Sequence, residues 1–166
     1  GELQKLVDDP EAFVTVEVSD AKIRLSIGGI VMTSKLIDGT FPDYQRVIPT
    51  GNDKEMRVDC QSFTKAVDRV STISSERGRA VKLSLSEGQL MLTVNNPDSG
   101  SATEEVAVGY EYDAMEIGFN AKYLLDITAQ LSGEDAIFLL ADAGSPTLIR
   151  DTAGVDALYV LMPMRV

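Results

Sequence analysis

The sequence has no histidine, no tryptophan and a single cysteine, Cys60. Without histidine there is no Ser-His-Asp or Cys-His nucleophile system and no imidazole ligand for a metal. One cysteine cannot close an internal disulfide, a usage that sits easily with a reducing cytosol. Placed at the end of a predicted strand, Cys60 reads as a buried thiol. No apolar run approaches the roughly 18 residues of a membrane span, and the first ten residues carry no apolar signal core, so no membrane partner is expected. Positive charge is scarce too: 15 Lys and Arg stand against 26 Asp and Glu, a net charge of −11. Bulk attraction to nucleic acid is excluded, since both partners would be negative, and any contact with phosphate needs a local basic surface. Also missing are the glycine spacings of phosphate-cradling loops and of a nucleophile elbow. The adjacent carboxylates Asp8-Asp9, Glu104-Glu105 and Glu134-Asp135 would point to opposite faces of a strand, where they cannot chelate one ion together. No cofactor, no metal and no catalytic set is indicated.

What is present is period-two alternation. The 166 residues amount to about one domain. Phe13 to Val18, Ile23 to Ile27 and Ile30 to Leu36 read as a three-stranded meander. Before it, Glu2 to Val7 reads as the last turns of an amphipathic helix whose beginning is missing, so a fragment of a longer protein is expected. Residues 38–53 hold Gly39, Pro42, Pro49 and Gly51 without either periodicity and read as an extended connector. Its Phe41, Tyr44, Val47 and Ile48 predict that it docks on the folded surface rather than swinging free.

After the connector, Met56 to Cys60 is a strand, and Gln61 or Ser62 opens a helix, Ser62 being the better cap. Phe63, Ala66, Val67, Val70 and Ile73 form one apolar stripe at helical spacing. Strands over Ala80–Leu85 and Gln89–Val94, a polar loop over Asn95–Ala102 and a strand over Thr103–Val108 follow. The order then recurs. Met115 to Phe119 is a strand, Asn120 a natural cap, and Tyr123, Leu124, Ile127, Thr128 and Leu131 a helical stripe closed by Gly133. Three more strands follow, at Ala136–Leu140, Thr147–Arg150 and Ala157–Met162. Units of fifty-odd residues are too short for independent cores, so they must pair through their sheets and helices. The predicted class is α+β, built from repeated helix-plus-antiparallel-sheet units with two units per domain.

Two surfaces are candidates for function. Lys65 and Arg69 lie four apart on one exposed strip of the first full helix, and Lys5 and Lys122 occupy comparable faces of the others. They present mild positive charge to a phosphate backbone, or they are simply a solvated helix face. At the carboxyl end, Pro163 cannot donate to a strand ladder, which would leave Met164 and Val166 on the surface beside the strand end. Exposed methionine suits the gripping of varied apolar side chains; the plainer alternative is a terminal strand that completes the core and frays.

Four segments carry a family resemblance. They are Thr33-Ser34-Lys35-Leu36-Ile37-Asp38-Gly39-Thr40-Phe41-Pro42-Asp43-Tyr44-Gln45-Arg46-Val47-Ile48-Pro49, Asn95-Asn96-Pro97, Glu116 to Asn120 with Tyr123 to Asp126, and Tyr159 to Val166. Together they resemble the bacterial sliding-clamp family, the beta subunits of DNA polymerase III, and the similarity runs over the whole chain. The resemblance implies the DNA-clamp (processivity) fold, with residues 1–37 as the C-terminal half of a middle domain, 38–53 as an interdomain connector and 54–166 as a complete third domain. It implies a non-catalytic, cytoplasmic replication protein whose full-length homodimer closes a ring around duplex DNA.

Its implied partners are the polymerase alpha subunit, the clamp loader, other polymerases, ligase and mismatch-repair proteins, each docking through a short apolar linear motif. Carried onto this sequence, the pocket takes Pro42, Arg46 and Val47 from the connector and Asn120 and Tyr123 from the last helix. From the tail it takes Val160, Leu161, Met162, Pro163, Met164, Arg165 and Val166, with Gly144 and Pro146 as lesser candidates. Lys5, Lys65, Arg69 and Lys122 would face DNA, and Thr72, Ile73, Glu104 and Glu105 would form the ring interface. Two other readings remain at this stage: a peptide-binding adaptor unrelated to DNA, and an acidic enzyme using a carboxylate-bound divalent ion.

Overall fold

Alternating apolar and polar residues build a sheet with one apolar face, and the first unit, residues 1–42, holds such a sheet. A computed structural model describes Lys5 and residues 11–41, 43–74, 80–154 and 157–166. Strands β1 (Thr15–Val18), β2 (Lys22–Ile27) and β3 (Ile30–Lys35) form an antiparallel meander. Gly28 makes the β2–β3 turn possible by adopting φ +55°, a region that disfavours side chains. Register puts Val16 opposite Leu25, Val18 opposite Ile23 and Met32 opposite Leu25, so one face is apolar. Ile23, Leu25 and Met32 are half-buried, whereas Val16 and Val18 on the same face remain exposed. The expected strand over Phe13–Val18 starts at Thr15, and Phe13 is almost fully exposed. The expected N-terminal helix lies outside the described residues apart from Lys5, which is helical and exposed.

The second unit, residues 43–166, opens on a 3-10 turn at Tyr44–Val47. The connector was expected to dock through its apolar residues. Instead Phe41, Tyr44 and Val47 are all exposed, and the segment becomes half-buried only at Ile48. It is anchored further on by one polar side chain: Asn52 Nδ2 donates to the carbonyls of Leu139 (2.7 Å) and Pro146 (2.9 Å).

Beyond Asn52 the order is β4 (Lys54–Asp59), α1 (Cys60–Ser71), β5 (Ala80–Ser86), β6 (Gln89–Asn96) and β7 (Gly100–Ala107). It repeats as β8 (Met115–Asn120), α2 (Ala121–Thr128), β9 (Asp135–Leu140), β10 (Thr147–Asp151) and β11 (Leu158–Leu161). Two four-stranded antiparallel sheets result, ordered β11-β10-β9-β4 and β7-β6-β5-β8. Each repeat therefore hands its opening strand to the other repeat's sheet: β4 pairs with β9 and β8 with β5. Isolated bridges extend both sheets at their edges, from Arg57 of β4 to Gly109 and from Gly118 of β8 to Met164.

The core lies between the sheets and the two helices, which touch each other. Phe63, Ala66, Val67 and Val70 of α1 meet Leu124 of α2 and strand residues such as Met56, Leu92 and Ile117. Phe63 and Phe138 meet edge to face at 5.3 Å between centroids. Cys60 is the first residue of α1 and half-buried, with burial pushing its thiol pKa up.

Several local expectations change. The cap of α1 is Asp59, whose Oδ1 accepts the Ser62 N–H at 2.7 Å; Ser62 is therefore already inside the helix. Asn120 caps α2 as expected, accepting the Lys122 N–H at 2.9 Å. The polar stretch Asn95–Ala102 is mostly hairpin, since Val94 pairs with Ala102, Asn95 with Ser101 and Asn96 with Gly100. Helix α2 stops at Thr128, so Gly133 is not its terminal glycine. Gly133 instead sits where a Cβ would collide with Asp151, Thr152 and Ala153.

Candidate functional site

Two open grooves lie beside the last strand and the carboxyl tail. The first, about 600 Å³, runs between α2 and β11 and is lined by Tyr123, Asp126, Ile127 and residues 158–162. Its walls are largely apolar. Met162 is 61% exposed, Tyr123 55% and Leu158 44%, an unusual concentration of uncovered apolar surface. Tyr123, expected both on the helical stripe of α2 and in the pocket, is turned outward into the groove while Leu124 and Thr128 face the core.

The second groove, about 610 Å³, is lined by Glu116, Ile117 and Gly118 of β8, by Ala143 and Gly144, and by the tail from Pro163 to Val166. Polar groups shape it. Asp142 Oδ1 accepts the N–H groups of Gly144 and Ser145, each at 2.8 Å, and Oδ2 accepts the Ser145 hydroxyl at 2.9 Å. These donors, Gly144 N–H foremost, hold the Asp142 carboxyl pKa below its ordinary value and fix the loop that forms one wall. Glu116 accepts from Lys82 Nζ at 2.9 Å and from the Ser84 hydroxyl at 3.1 Å, which depresses its pKa as well, the Lys82 bond contributing most.

The tail was expected to leave the sheet at Pro163 with Met164 on the surface. Pairing with β10 does end at Leu161, but Met164 is half-buried and its N–H donates to Gly118 O at 2.8 Å. The tail thus crosses from the edge of one sheet to the edge of the other.

The residues assigned from sequence to one pocket separate into these two grooves. Tyr123, Val160, Leu161 and Met162 line the first; Gly144, Pro163, Met164, Arg165 and Val166 line the second. Arg46, Val47, Asn120 and Pro146 line neither: Arg46 is exposed and paired with Asp43 at 3.1 Å, Asn120 caps α2, and Pro146 gives its carbonyl to Asn52. Pro42 lies outside the described residues. The sequence reading missed Asp126, Ile127, Leu158 and Tyr159 in the first groove and Glu116, Ile117, Gly118 and Ala143 in the second. Five of these eight had a signal, since Glu116, Ile117, Gly118, Asp126 and Tyr159 belong to the segments that carried the family resemblance.

On the helix faces, Lys65 and Lys122 are exposed. Arg69 is engaged: its Nε and a terminal nitrogen donate to the two carboxylate oxygens of Glu104 at 2.6 and 3.0 Å. Two residues assigned to different surfaces are thus each other's partners, and the Arg69 bond lowers the Glu104 carboxyl pKa. Glu105 points to the other face of β7 and is exposed. Thr72 is the exposed C-cap of α1, and Ile73 just beyond it is half-buried with its carbonyl bonded to Asn96 Nδ2 at 2.7 Å. Among the described residues no group of three or more His, Cys, Asp or Glu is arranged to hold a metal ion. Among them, too, no helix is long and apolar enough to cross a membrane.

Two families of sequence pattern match the chain, described as "DNA polymerase III beta subunit, central domain" over residues 1–43 and "DNA polymerase III beta subunit, C-terminal domain" over residues 45–165. The beta sliding clamp of Caulobacter vibrioides is 48% identical over 99% of the chain, and that of Escherichia coli K12 is 40% identical over the same share. Among solved structures, a sliding clamp (DNA polymerase III subunit beta) from Bartonella birtlesii bound to griselimycin is 59% identical over the whole chain, with a TM-score of 0.89. The chain covers 44% of the Caulobacter protein, 45% of the Escherichia protein and 45% of the Bartonella chain, so it spans less than half the length of these relatives. Paired helices backed by exchanged antiparallel sheets are the architecture of the sliding-clamp class. The chain belongs to the DNA polymerase III beta subunit family.

Proposed function

We propose that the chain is part of a ring-shaped, non-catalytic processivity clamp of the bacterial cytoplasm, needing no cofactor. In this reading residues 1–37 are the C-terminal half of its middle domain, 38–53 the connector and 54–166 its third domain. The exposed apolar face of the β1–β3 sheet at Val16 and Val18 supports the first assignment, because such a face is stable when another half-domain covers it. The full-length protein closes as a head-to-tail homodimer around duplex DNA, through Thr72, Ile73, Glu104 and Glu105 on this side of the joint. Retention is topological, so contacts to phosphate stay weak. The sparse charge on the helix faces fits that need: Lys5, Lys65 and Lys122 are exposed, and the charge of Arg69 is offset by Glu104.

The two grooves receive the short apolar motifs of the polymerase alpha subunit, clamp loader, other polymerases, ligase and mismatch-repair proteins. The apolar groove takes leucine or phenylalanine anchors, while Arg165 beside the polar groove meets the peptide's polar groups. Pro42, Arg46, Val47, Asn120 and Pro146 complete the docking surface in this assignment. The observation that carries the docking reading is the uncovered Tyr123–Leu158–Met162 surface beside α2 in a member of the sliding-clamp family. Titration of the chain with a Gln-Leu-x-Leu-Phe peptide tests it. Saturable binding displaced by griselimycin is expected, and absence of binding at millimolar peptide overturns the docking reading.

A further inference from the structure

We infer that Gly118 is a positioning residue for partner docking: with no side chain there, the carboxyl tail can lie against β8 and wall the polar groove. The inference rests on the docking reading above and adds to it a residue on a strand that otherwise contributes only to the sheet.

Gly118 lies in the interior of β8, where glycine weakens a strand and a β-branched residue would normally be favoured. Its φ is not in the left-handed region, so backbone conformation does not require glycine. Space does. A Cβ at this position would stand 2.6 Å from the Met164 carbonyl oxygen and closer still to a methyl of Val166, where ordinary contact begins at 3.4 Å. The nearer obstacle is a flexible side-chain end, but the carbonyl is backbone and yields only if the tail moves. That tail is slender. Beyond Leu161, its backbone is tied to β8 by the bond from Met164 N–H to Gly118 O. A side chain on Gly118 therefore pushes at the point where the tail is attached. Since Pro163 to Val166 line the polar groove together with Ile117 and Gly118, a displaced tail opens the groove.

The chain contains its own control. Gly109 makes the other isolated bridge, to Arg57, with N–H···O bonds of 2.8 and 2.9 Å, yet a Cβ there would meet only ordinary contacts at 3.6 and 3.8 Å. Bridging alone does not demand glycine; the closeness of the tail does.

The experiment compares the chain, Gly118→Ala and Gly109→Ala by amide hydrogen exchange and by titration with the Gln-Leu-x-Leu-Phe peptide. In Gly118→Ala the Met164 amide should exchange about tenfold faster or more while the Leu83 and Leu92 amides stay protected. The same variant should bind peptide about tenfold more weakly, and Gly109→Ala should change neither quantity. Retained Met164 protection in Gly118→Ala overturns the inference, and so does lost protection with undiminished affinity. If Gly118→Ala does not fold, a chain lacking residues 163–166 takes its place: unchanged affinity in it overturns the inference, and weakened affinity with a protected core supports it. Failure of the unaltered chain to bind peptide would instead sink the docking reading, while Met164 exchange would still report on the tail.

Discussion

Met162→Ala separates docking from folding most sharply. The side chain is 61% exposed at the rim of the groove between α2 and β11, so its removal takes little from the folded core. Substitutions at such positions usually shift stability by no more than about 0.5 kcal/mol. A bound peptide would cover what solvent now reaches. Complete burial of a methionine side chain is worth about 1.5–3 kcal/mol, and alanine keeps part of that surface, so the exposed share corresponds to about 1–1.5 kcal/mol. The dissociation constant should then rise about five- to tenfold. Fluorescence anisotropy of a labelled Gln-Leu-x-Leu-Phe peptide measures it, with thermal unfolding as the check on folding. Met91→Ala is the matched control, an exposed methionine on β6 that lines neither groove. Equal affinity in Met162→Ala and the unaltered chain refutes the reasoning, as does an equal loss in Met91→Ala.

Two predictions concern the scaffold. Phe63→Ala removes a fully buried ring that stacks edge to face on Phe138, and should cost about 3–5 kcal/mol, read as a lower urea midpoint; a loss under about 1 kcal/mol would mean that α1 is not packed as described. The Asp151 carboxyl accepts the Ala153, Ser132 and Gly133 N–H groups, which lower its pKa from the ordinary 3.8, the Ala153 bond contributing most. A depressed folded-state pKa stabilises above the unfolded value and loses that contribution as pH falls through the folded one. Asp151→Asn should therefore unfold at a lower temperature than the parent at about pH 6, and the gap should narrow as the pH falls below the ordinary 3.8; a gap independent of pH would contradict this.

Much of the fold is legible because it is local. The spacing of Phe63, Ala66, Val67 and Val70 needs only a helix and a core to bury it, and the alternation in β5 and β6 needs only a sheet. Misreadings fall where two local signals compete or a distant residue decides. Asp59 and Ser62 are both good caps three residues apart, and strand β4 runs far enough to deliver Asp59 to the helix end. Asn95 to Ala102 looks like a loop because its side chains are polar, yet hairpin pairing there uses the backbone, which is blind to polarity.

Gly133 and Gly118 are glycine because chain from 18 or more and 46 or more residues away leaves no room for a Cβ, which no window of sequence reports. The site divides in the same way. Its carboxyl-terminal residues were recognisable as a motif, whereas Ile127, Leu158 and Ala143 join the grooves only through tertiary placement. The bond between Arg69 and Glu104 links positions 35 apart and was likewise invisible.

Encirclement is tested most directly by lifetime on DNA of different topology. The full-length protein containing this chain, loaded on nicked circular duplex, should stay bound through gel filtration and leave promptly once the circle is cut. Equal lifetimes on circular and linear DNA would contradict it.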